Sequence, residues 1–327
     1  MGRHLLPFGF AAAALTASLS AAEPPAAPTR AGAERDVIAF EQDTAARMTV
    51  PVSIGGRGPY RFIVDTGSER TVISEELARN LELSAGREAT LHSISGAGEV
   101  STVVIPNLRV SKRNVRGIHA PALAAADLGA VGMLGVDSLK SQRVLFDFGR
   151  QTMAVTPSVQ YEQDWGPNTI VIKARTRYGR LVLSNARIEG EKVLVILDTG
   201  SEVTIGNEAL RRKLAARGKL RSTRPISLLS VTGGLAPADY TTISHVRLGG
   251  AYIKQLPVAF ADIHPFRQLD LLDRPALLLG MDALQLFDRV SVDFAHRRVQ
   301  FLAPDLGLLE EQTRMAALAG GSRTASR

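Results

Sequence analysis

The sequence predicts a mostly β fold made of two pseudo-symmetric lobes with short helices. The pentapeptide Asp-Thr-Gly-Ser-Glu occurs twice, starting at Asp65 and at Asp198, and each copy follows an apolar run that is typical of a buried strand. A second motif, apolar-apolar-Gly-x-Asp, also occurs twice, at 133–137 and at 278–282. The chain has 327 residues, which is enough for two domains. These internal repeats indicate a duplicated lobe.

The first residues of the chain are typical of an export signal. Residues 1–22 contain a basic residue at Arg3, then an apolar stretch, and small residues at their end. An uncleaved N-terminal anchor is the alternative, although Pro7 and Gly9 interrupt the short apolar stretch. Residues 23–35, rich in Pro and Ala, are typical of a flexible tether. We therefore expect a periplasmic or secreted protein with no stable membrane span after removal of the signal.

The composition argues against several classes of function. There is no cysteine, so disulfides, thiolate catalysis and cysteine-ligated zinc are excluded. The net charge is +7, but the densest basic cluster, at 211–224, is more typical of a solvated helix face than of a binding patch. Aromatic residues make up only 5% of the chain and none interleaves that cluster, so we expect no nucleic-acid partner.

The motifs of other hydrolases and of nucleotide-binding proteins are missing from the sequence. The six histidines do not fall at helical metal-ligand spacing, and there is no HExxH. Neither a GxSxG nucleophile elbow nor a GxxxxGK phosphate loop occurs. We therefore expect neither a metal nor a cofactor.

The repeats predict the limits of the two lobes. We expect the N-terminal lobe to span 36–158 and the C-terminal lobe to span 169–303. The segment between them, 159–168, contains Gly and Pro without apolar periodicity, which is typical of a linker. Residues 304–327 are expected to form a tail, with one helix at 306–318.

Each lobe is predicted to begin with a β-hairpin that leads into its Asp-Thr-Gly motif. In the first lobe, apolar residues alternate over 48–54, a glycine-rich turn follows, and the returning strand ends at Asp65. The second lobe repeats this order and its returning strand ends at Asp198. A short helix is expected after each motif, at 74–81 and at 207–216.

A second, glycine-tipped hairpin is predicted in each lobe. Strand-like residues flank the two glycine-rich turns, and glycine gives such tips backbone freedom. We expect two mobile hairpins with tips at Gly96, Ala97 and Gly98, and at Gly233 and Gly234.

The order of these motifs resembles that of the aspartic peptidases. The segment VPVSIGGRGPYRFIVDTGSERTVISEE, at 50–76, is similar to a retropepsin-type lobe, and the resemblance covers 48–155 and 171–302. It implies a bilobal retropepsin-like fold of two β-barrel lobes, with the glycine-tipped hairpins as substrate-binding flaps. Retropepsins assemble from two identical subunits, so this chain looks like a fused version that would act as a monomer. It departs from the pepsin pattern because no tyrosine lies near either tip.

Asp65 and Asp198 are the candidate catalytic residues. Two adjacent carboxylates cannot both ionise near neutrality, so one can accept a proton from water while the other donates one to the leaving amine. The alternative is that each Asp-Thr-Gly is a simple strand-ending turn.

The residues after each aspartate are expected to support it. Glycine leaves room for a tight turn with backbone N–H groups facing the carboxylate. By resemblance, the threonines would hydrogen-bond across the lobe interface. The serines can donate to the ionised carboxylate, which would shift activity towards acidic pH. The supporting residues are Thr66, Gly67, Ser68, Thr199, Gly200 and Ser201.

Other duplicated aspartates are expected to be structural. Asp137 and Asp282 each precede a helix-like segment and are predicted to be helix N-caps. Asp147 and Asp293 lie in the last strands of the lobes, where we expect them to pair with the arginines of those strands.

The sequence thus favours an exported aspartic endopeptidase that binds an extended polypeptide between its lobes. The alternative is a catalytically silent peptide-binding or scaffold protein of the same fold, because correct residues held about 1 Å out of place can lose 10²-fold or more in rate.

Overall fold

The computed structural model describes residues 36–42, 47–110, 112–139, 142–158, 165–178 and 180–304. The predicted signal, the tether and the tail helix lie outside the described residues, as does most of the predicted linker. No helix within these ranges has the length and apolar character needed to span a membrane.

Strands dominate the N-terminal lobe. Its helical segments are short: α1 is Glu75–Asn80, α2 is Ala125–Leu128, and a 3₁₀ helix is Val136–Ser138. Its strands are β1 Asp36–Ala39, β2 Glu41–Gln42, β3 Met48–Ile54, β4 Arg57–Val64, β5 Val72–Ser74, β6 Ala89–His92, β7 Ala97–Val100, β8 Thr102–Val110, β9 Arg113–Leu123, β10 Gly132–Leu134, β11 Gln142–Asp147 and β12 Thr152–Pro157.

The C-terminal lobe repeats this pattern of many strands and few short helices. Its helices are α3 Glu208–Ala216, α4 His264–Gln268 and α5 Met281–Leu284. Its strands are β13 Thr169–Arg177, β14 Arg180–Ile188, β15 Glu191–Leu197, β16 Ile205–Gly206, β17 Arg224–Leu229, β18 Leu235–Leu248, β19 Ala251–Phe260, β20 Ala276–Leu279, β21 Arg289–Asp293 and β22 Arg298–Leu302.

Each lobe closes into a small barrel. In the first lobe the strand order is β3-β4-β10-β5-β9-β8, and pairing of β3 with β8 closes it. In the second lobe the order is β14-β15-β20-β16-β19-β18, and pairing of β14 with β18 closes it. Equivalent elements therefore occupy equivalent places, and the predicted mostly β fold with two pseudo-symmetric barrel lobes is confirmed.

A further set of strands joins the lobes. The order β1-β12-β11-β21-β22-β13 takes three strands from each lobe, with β11 and β21 antiparallel at the centre. The register places Arg143 opposite Asp293 and Asp147 opposite Arg289, and these pairs form ion pairs of 3.0 and 2.7 Å. The aspartates are therefore structural, as expected, but each pairs with the arginine of the other lobe. That exchange ties the two lobes together.

The short helices begin where the sequence predicts. The backbone N–H of Leu77 donates to the Ser74 hydroxyl at 3.1 Å, and that of Leu210 donates to the Asn207 side chain at 3.0 Å. Both capping residues are buried: Ser74 is the last residue of β5, and Asn207 directly follows β16. They satisfy helical N–H groups that lack partners within the helix.

Candidate active site

The two candidate aspartates occupy matching places at the ends of barrel strands. Asp65 follows β4 and Asp198 follows β15, and each strand lies parallel to the short central strand of its lobe. The backbone N–H of Asp65 donates to the carbonyl of Leu134 at 2.9 Å, and that of Asp198 donates to the carbonyl of Leu279 at 3.1 Å. The second duplicated motif, apolar-apolar-Gly, therefore supplies the strand that anchors each aspartate.

Two threonines connect the aspartate loops across the lobe interface. The backbone N–H of Thr66 donates to Oγ1 of Thr199 at 3.0 Å, and the reciprocal bond is 3.2 Å. Each hydroxyl also donates to a carbonyl of the opposite lobe, to Leu197 at 3.2 Å and to Val64 at 2.7 Å. Both threonine side chains are buried. The cross-lobe hydrogen bonds expected from the resemblance are therefore present, and they fix the separation of the two loops.

Each carboxyl group packs against the glycine of the opposite loop. A Cβ atom on Gly67 would lie 2.5 Å from Cγ of Asp198, and a Cβ atom on Gly200 would lie 2.3 Å from Cγ of Asp65. Both distances are shorter than any normal contact of a Cβ atom. The two glycines are therefore required by the close approach of the two lobes at this point.

Backbone N–H groups bind both carboxylates. Those of Gly67 and Ser68 donate to Oδ1 of Asp65 at 2.7 and 3.0 Å, and that of Gly200 donates to Oδ1 of Asp198 at 3.0 Å. These bonds hold the carboxylates in one orientation.

The environment raises the pKa of Asp65 well above its usual value. Burial is the main cause, followed by the negative charge of Asp198 and a side-chain hydrogen bond with it. The N–H of Gly67 and the positive charge of Arg180 act in the opposite direction without cancelling this effect. Asp65 therefore holds a proton to higher pH than an isolated carboxyl group.

The expected role of Ser68 and Ser201 is wrong. Their hydroxyl groups donate to the carbonyls of Arg70 and Val203, each at 2.8 Å, instead of to the carboxylates. A serine hydroxyl readily bonds to a backbone group two residues away, and this local bond stabilises the turn. In this loop the backbone N–H of Ser68, and not its side chain, binds Asp65.

Asp137 and Asp282 are structural, but they are not helix N-caps. Those positions belong to Gly135 and Gly280. Oδ1 of Asp137 accepts a hydrogen bond from the Thr71 hydroxyl at 2.7 Å. In the second lobe, Oδ1 of Asp282 accepts one from the Thr204 hydroxyl at 2.6 Å. Each aspartate therefore ties the segment after its Asp-Thr-Gly motif to the short helix that follows the apolar-apolar-Gly strand.

A cleft opens above the aspartate pair and is lined by both lobes. The hairpin β6–β7 contributes 91–94 to its wall, and the hairpin β17–β18 contributes Val231. Both are the predicted glycine-tipped hairpins, but the predicted tip glycines do not line the cleft. Gly96 lies at the first tip and Gly233 and Gly234 lie at the second, whereas Ala97 and Gly98 belong to β7.

The two hairpin tips contact each other and the opposite lobe. The hydroxyls of Ser93 and Thr232 are 3.1 Å apart. Nδ1 of His92 lies 2.8 Å from Nε2 of His264, and the two rings are stacked with centroids 5.0 Å apart. The N–H of His264 donates to the carbonyl of Ile94 at 3.1 Å. The first hairpin therefore bridges the cleft and rests on α4.

The residues of this bridge were not predicted. The sequence offers no signal for them, because His92 and His264 lie in unrelated segments and meet only when the lobes close. Burial lowers the pKa of His264, and the nearby positive groups of His92, Arg267 and Arg180 add to that effect. This side of the cleft is therefore rich in basic groups.

Two family models match the chain, one in each lobe. Residues 50–141 match a gag-polyprotein aspartyl protease, and residues 184–283 match an aspartyl protease. No curated protein matches the chain. With the two-barrel fold, these tandem matches show that the chain belongs to the retropepsin-like aspartic peptidases and carries both lobes in one polypeptide. Membership of this family implies a polypeptide substrate.

Proposed function

We propose that this chain is an endopeptidase in which Asp65 and Asp198 act as one catalytic pair. The observation that carries the proposal is that each carboxyl group packs against the glycine of the opposite loop, so that both face one cleft. In this reaction the ionised carboxylate accepts a proton from a water molecule, which attacks the peptide carbonyl. The other carboxyl group donates its proton to the departing amine. The raised pKa of Asp65 supports it as the residue that holds this proton.

We further propose that the substrate lies extended between the pair and the two hairpins. The cleft is lined by residues of both lobes, and the hairpins above it have β geometry. Exposed strand edges are suited to main-chain hydrogen bonding with an extended peptide. Export to the periplasm or beyond the cell is part of the same proposal and is supported by residues 1–22 alone.

Proteolysis is tested directly by incubating residues 23–327 with a diverse peptide library from pH 3 to pH 8. We expect internal cleavage, detected by mass spectrometry, with a bell-shaped dependence of kcat/KM on pH because the pair works with one shared proton. The Asp198→Asn variant is the control for a contaminating peptidase. Peptide binding without cleavage by the unmodified chain would instead favour the silent scaffold.

We also propose that one chain forms the complete site as a monomer. The cross-lobe bonds between Thr66 and Thr199 lie within a single polypeptide. The tethered lobes have an effective concentration on the order of millimolar, which favours pairing within a chain. Activity per molecule should therefore stay constant on dilution from micromolar to nanomolar protein. A fall in specific activity, together with a change from dimer to monomer in light scattering, would contradict this proposal.

A further inference from the structure

One buried arginine in the cleft has no ion-pair partner among the described residues. Arg180, at the start of β14, lines the cleft together with Asp65 and Asp198, and it is only 6% exposed. Its Nε and Nη1 atoms have no hydrogen-bond partner among the described residues. A guanidinium group removed from water without a partner is unfavourable, and such groups are normally paired. A molecule that enters the cleft can therefore supply the missing partner of Arg180.

The equivalent arginine of the other lobe is held differently. Arg47 precedes Asp65 by as many residues as Arg180 precedes Asp198. Its Nη1 atom donates to the carbonyl of Leu128 at 3.3 Å, and it does not line the cleft. The duplicated lobes thus differ at this position, and among the residues that the structure describes the buried arginine of the cleft belongs to the C-terminal lobe.

The charge of Arg180 acts on the catalytic centre itself. It lowers the pKa of Asp65, and it contributes to the lowered pKa of His264 on α4. The guanidinium group lines the same cleft as Asp65 and Asp198 and acts electrostatically on Asp65. Much of the remaining wall is apolar, including Ile196, Leu278 and Val231, so water screens this charge poorly.

We propose that Arg180 is a specificity-determining residue that binds a carboxylate of the substrate next to the scissile bond. The planar guanidinium group matches a carboxylate through two parallel hydrogen bonds, and a substrate carboxylate would supply the partner that the buried group lacks. An acidic side chain or a free C-terminal carboxylate could provide this group. The inference rests on the proposed function, because it assumes that the substrate is a peptide bound at Asp65 and Asp198.

Paired peptides test this assignment. A peptide cleaved by the unmodified chain is resynthesised with Glu or Gln at each position around the scissile bond, and with a free or an amidated C terminus. We expect one Glu peptide to exceed its Gln partner by roughly 10- to 100-fold in kcat/KM, mostly through KM, since hydrogen bonds between charged groups are strong. A preference that follows the free C terminus instead would identify that carboxylate as the ligand.

Two variants assign the preference to Arg180. In Arg180→Gln the ratio of the paired peptides should fall to near one, and in Arg180→Lys part of it should remain. The matched control is Arg175→Gln, which removes the same charge from an exposed position on β13 and should retain the full ratio. A purely structural role would slow all peptides equally, lower the melting temperature and leave the ratio unchanged. That result, or equal cleavage of Glu and Gln peptides by the unmodified chain, would overturn the proposal.

The Asp65→Asn variant separates this inference from the proposed function. Binding of the same paired peptides to this variant needs no turnover and can be followed by titration calorimetry. Tighter binding of the carboxylate peptide, lost on adding Arg180→Gln, would support the role of Arg180 even if the unmodified chain cleaves nothing. Cleavage without any carboxylate preference in binding or in rate would leave the peptidase proposal intact and reject the role of Arg180.

Discussion

The Asp65→Asn variant is expected to lose peptidase activity by about 10²–10⁴-fold or more and, at neutral pH, to unfold at a higher temperature than the unmodified chain. The activity falls because an amide cannot hold and release the proton that the reaction moves. The stability rises because the buried carboxyl group, next to Asp198, is costly to ionise and the amide does not ionise. Loss of activity with gain of stability is a combination that damage to the fold cannot produce.

The sign of the stability change depends on pH. The pKa of Asp65 is raised in the folded state, so the folded chain binds this proton more tightly than the unfolded chain. The resulting stability is fully present below the unfolded pKa, near the ordinary value of 3.8, and is lost as pH rises through the folded pKa. The difference in melting temperature in favour of the variant should therefore be smallest near pH 3 and grow towards neutral pH.

Calorimetric melting from pH 3 to pH 8, with kcat/KM for one peptide, measures both effects. Asp198→Asn should lose activity to a similar extent, because the proposed reaction needs both carboxyl groups. Asp273→Asn, which changes an exposed aspartate, is the matched control and should alter neither quantity. Retained activity in either variant of the pair, or a melting difference that does not depend on pH, would exclude a shared catalytic proton.

Much of the fold could be predicted because the sequence contains two copies of the pattern that forms one lobe. Two copies of one strand-turn pattern predict two copies of one barrel, and the apolar runs before Asp65 and Asp198 place both aspartates at strand ends. The capped starts of α1 and α3 were equally local, since Ser74 and Asn207 act on residues three positions away. Strand ends and helix caps, which depend on neighbouring residues in the chain, could therefore be predicted from the sequence.

Features that depend on contacts between the two lobes could not be predicted from the sequence. The exchange of partners between Arg143 and Asp293 depends on the register of β11 against β21, which no local pattern specifies. The burial of Arg180 has the same origin, because an arginine at the start of a strand is ordinarily exposed. The sequence offers the hydroxyl of Ser68 two candidate acceptors, and the loop conformation determines that it donates to the Arg70 carbonyl.

Substitution of Gly67 or Gly200 by Ala is expected to reduce activity by about 10²-fold or more while leaving each barrel folded. The new methyl group would lie 2.5 Å from Cγ of Asp198 in the first variant and 2.3 Å from Cγ of Asp65 in the second. Relief of such a contact requires the opposite carboxyl group to move by on the order of 1 Å, and displacements of this size cost about 10²-fold in rate. Both variants therefore damage the aspartate of the lobe that was not mutated.

The matched control is Gly98→Ala in β7, where an added Cβ meets no atom within 4 Å and the backbone does not need glycine. It changes the same residue type in the cleft-bordering hairpin and should keep nearly full kcat/KM. Melting temperature, measured in parallel, separates a displaced carboxyl group from a loss of fold, since the buried threonine bonds between the lobes do not involve either glycine. Full activity in both Gly67→Ala and Gly200→Ala would mean that each added methyl group fits beside the opposite carboxyl group. The two aspartate loops would then lie further apart than in this structure, and the two aspartates could not act as one pair.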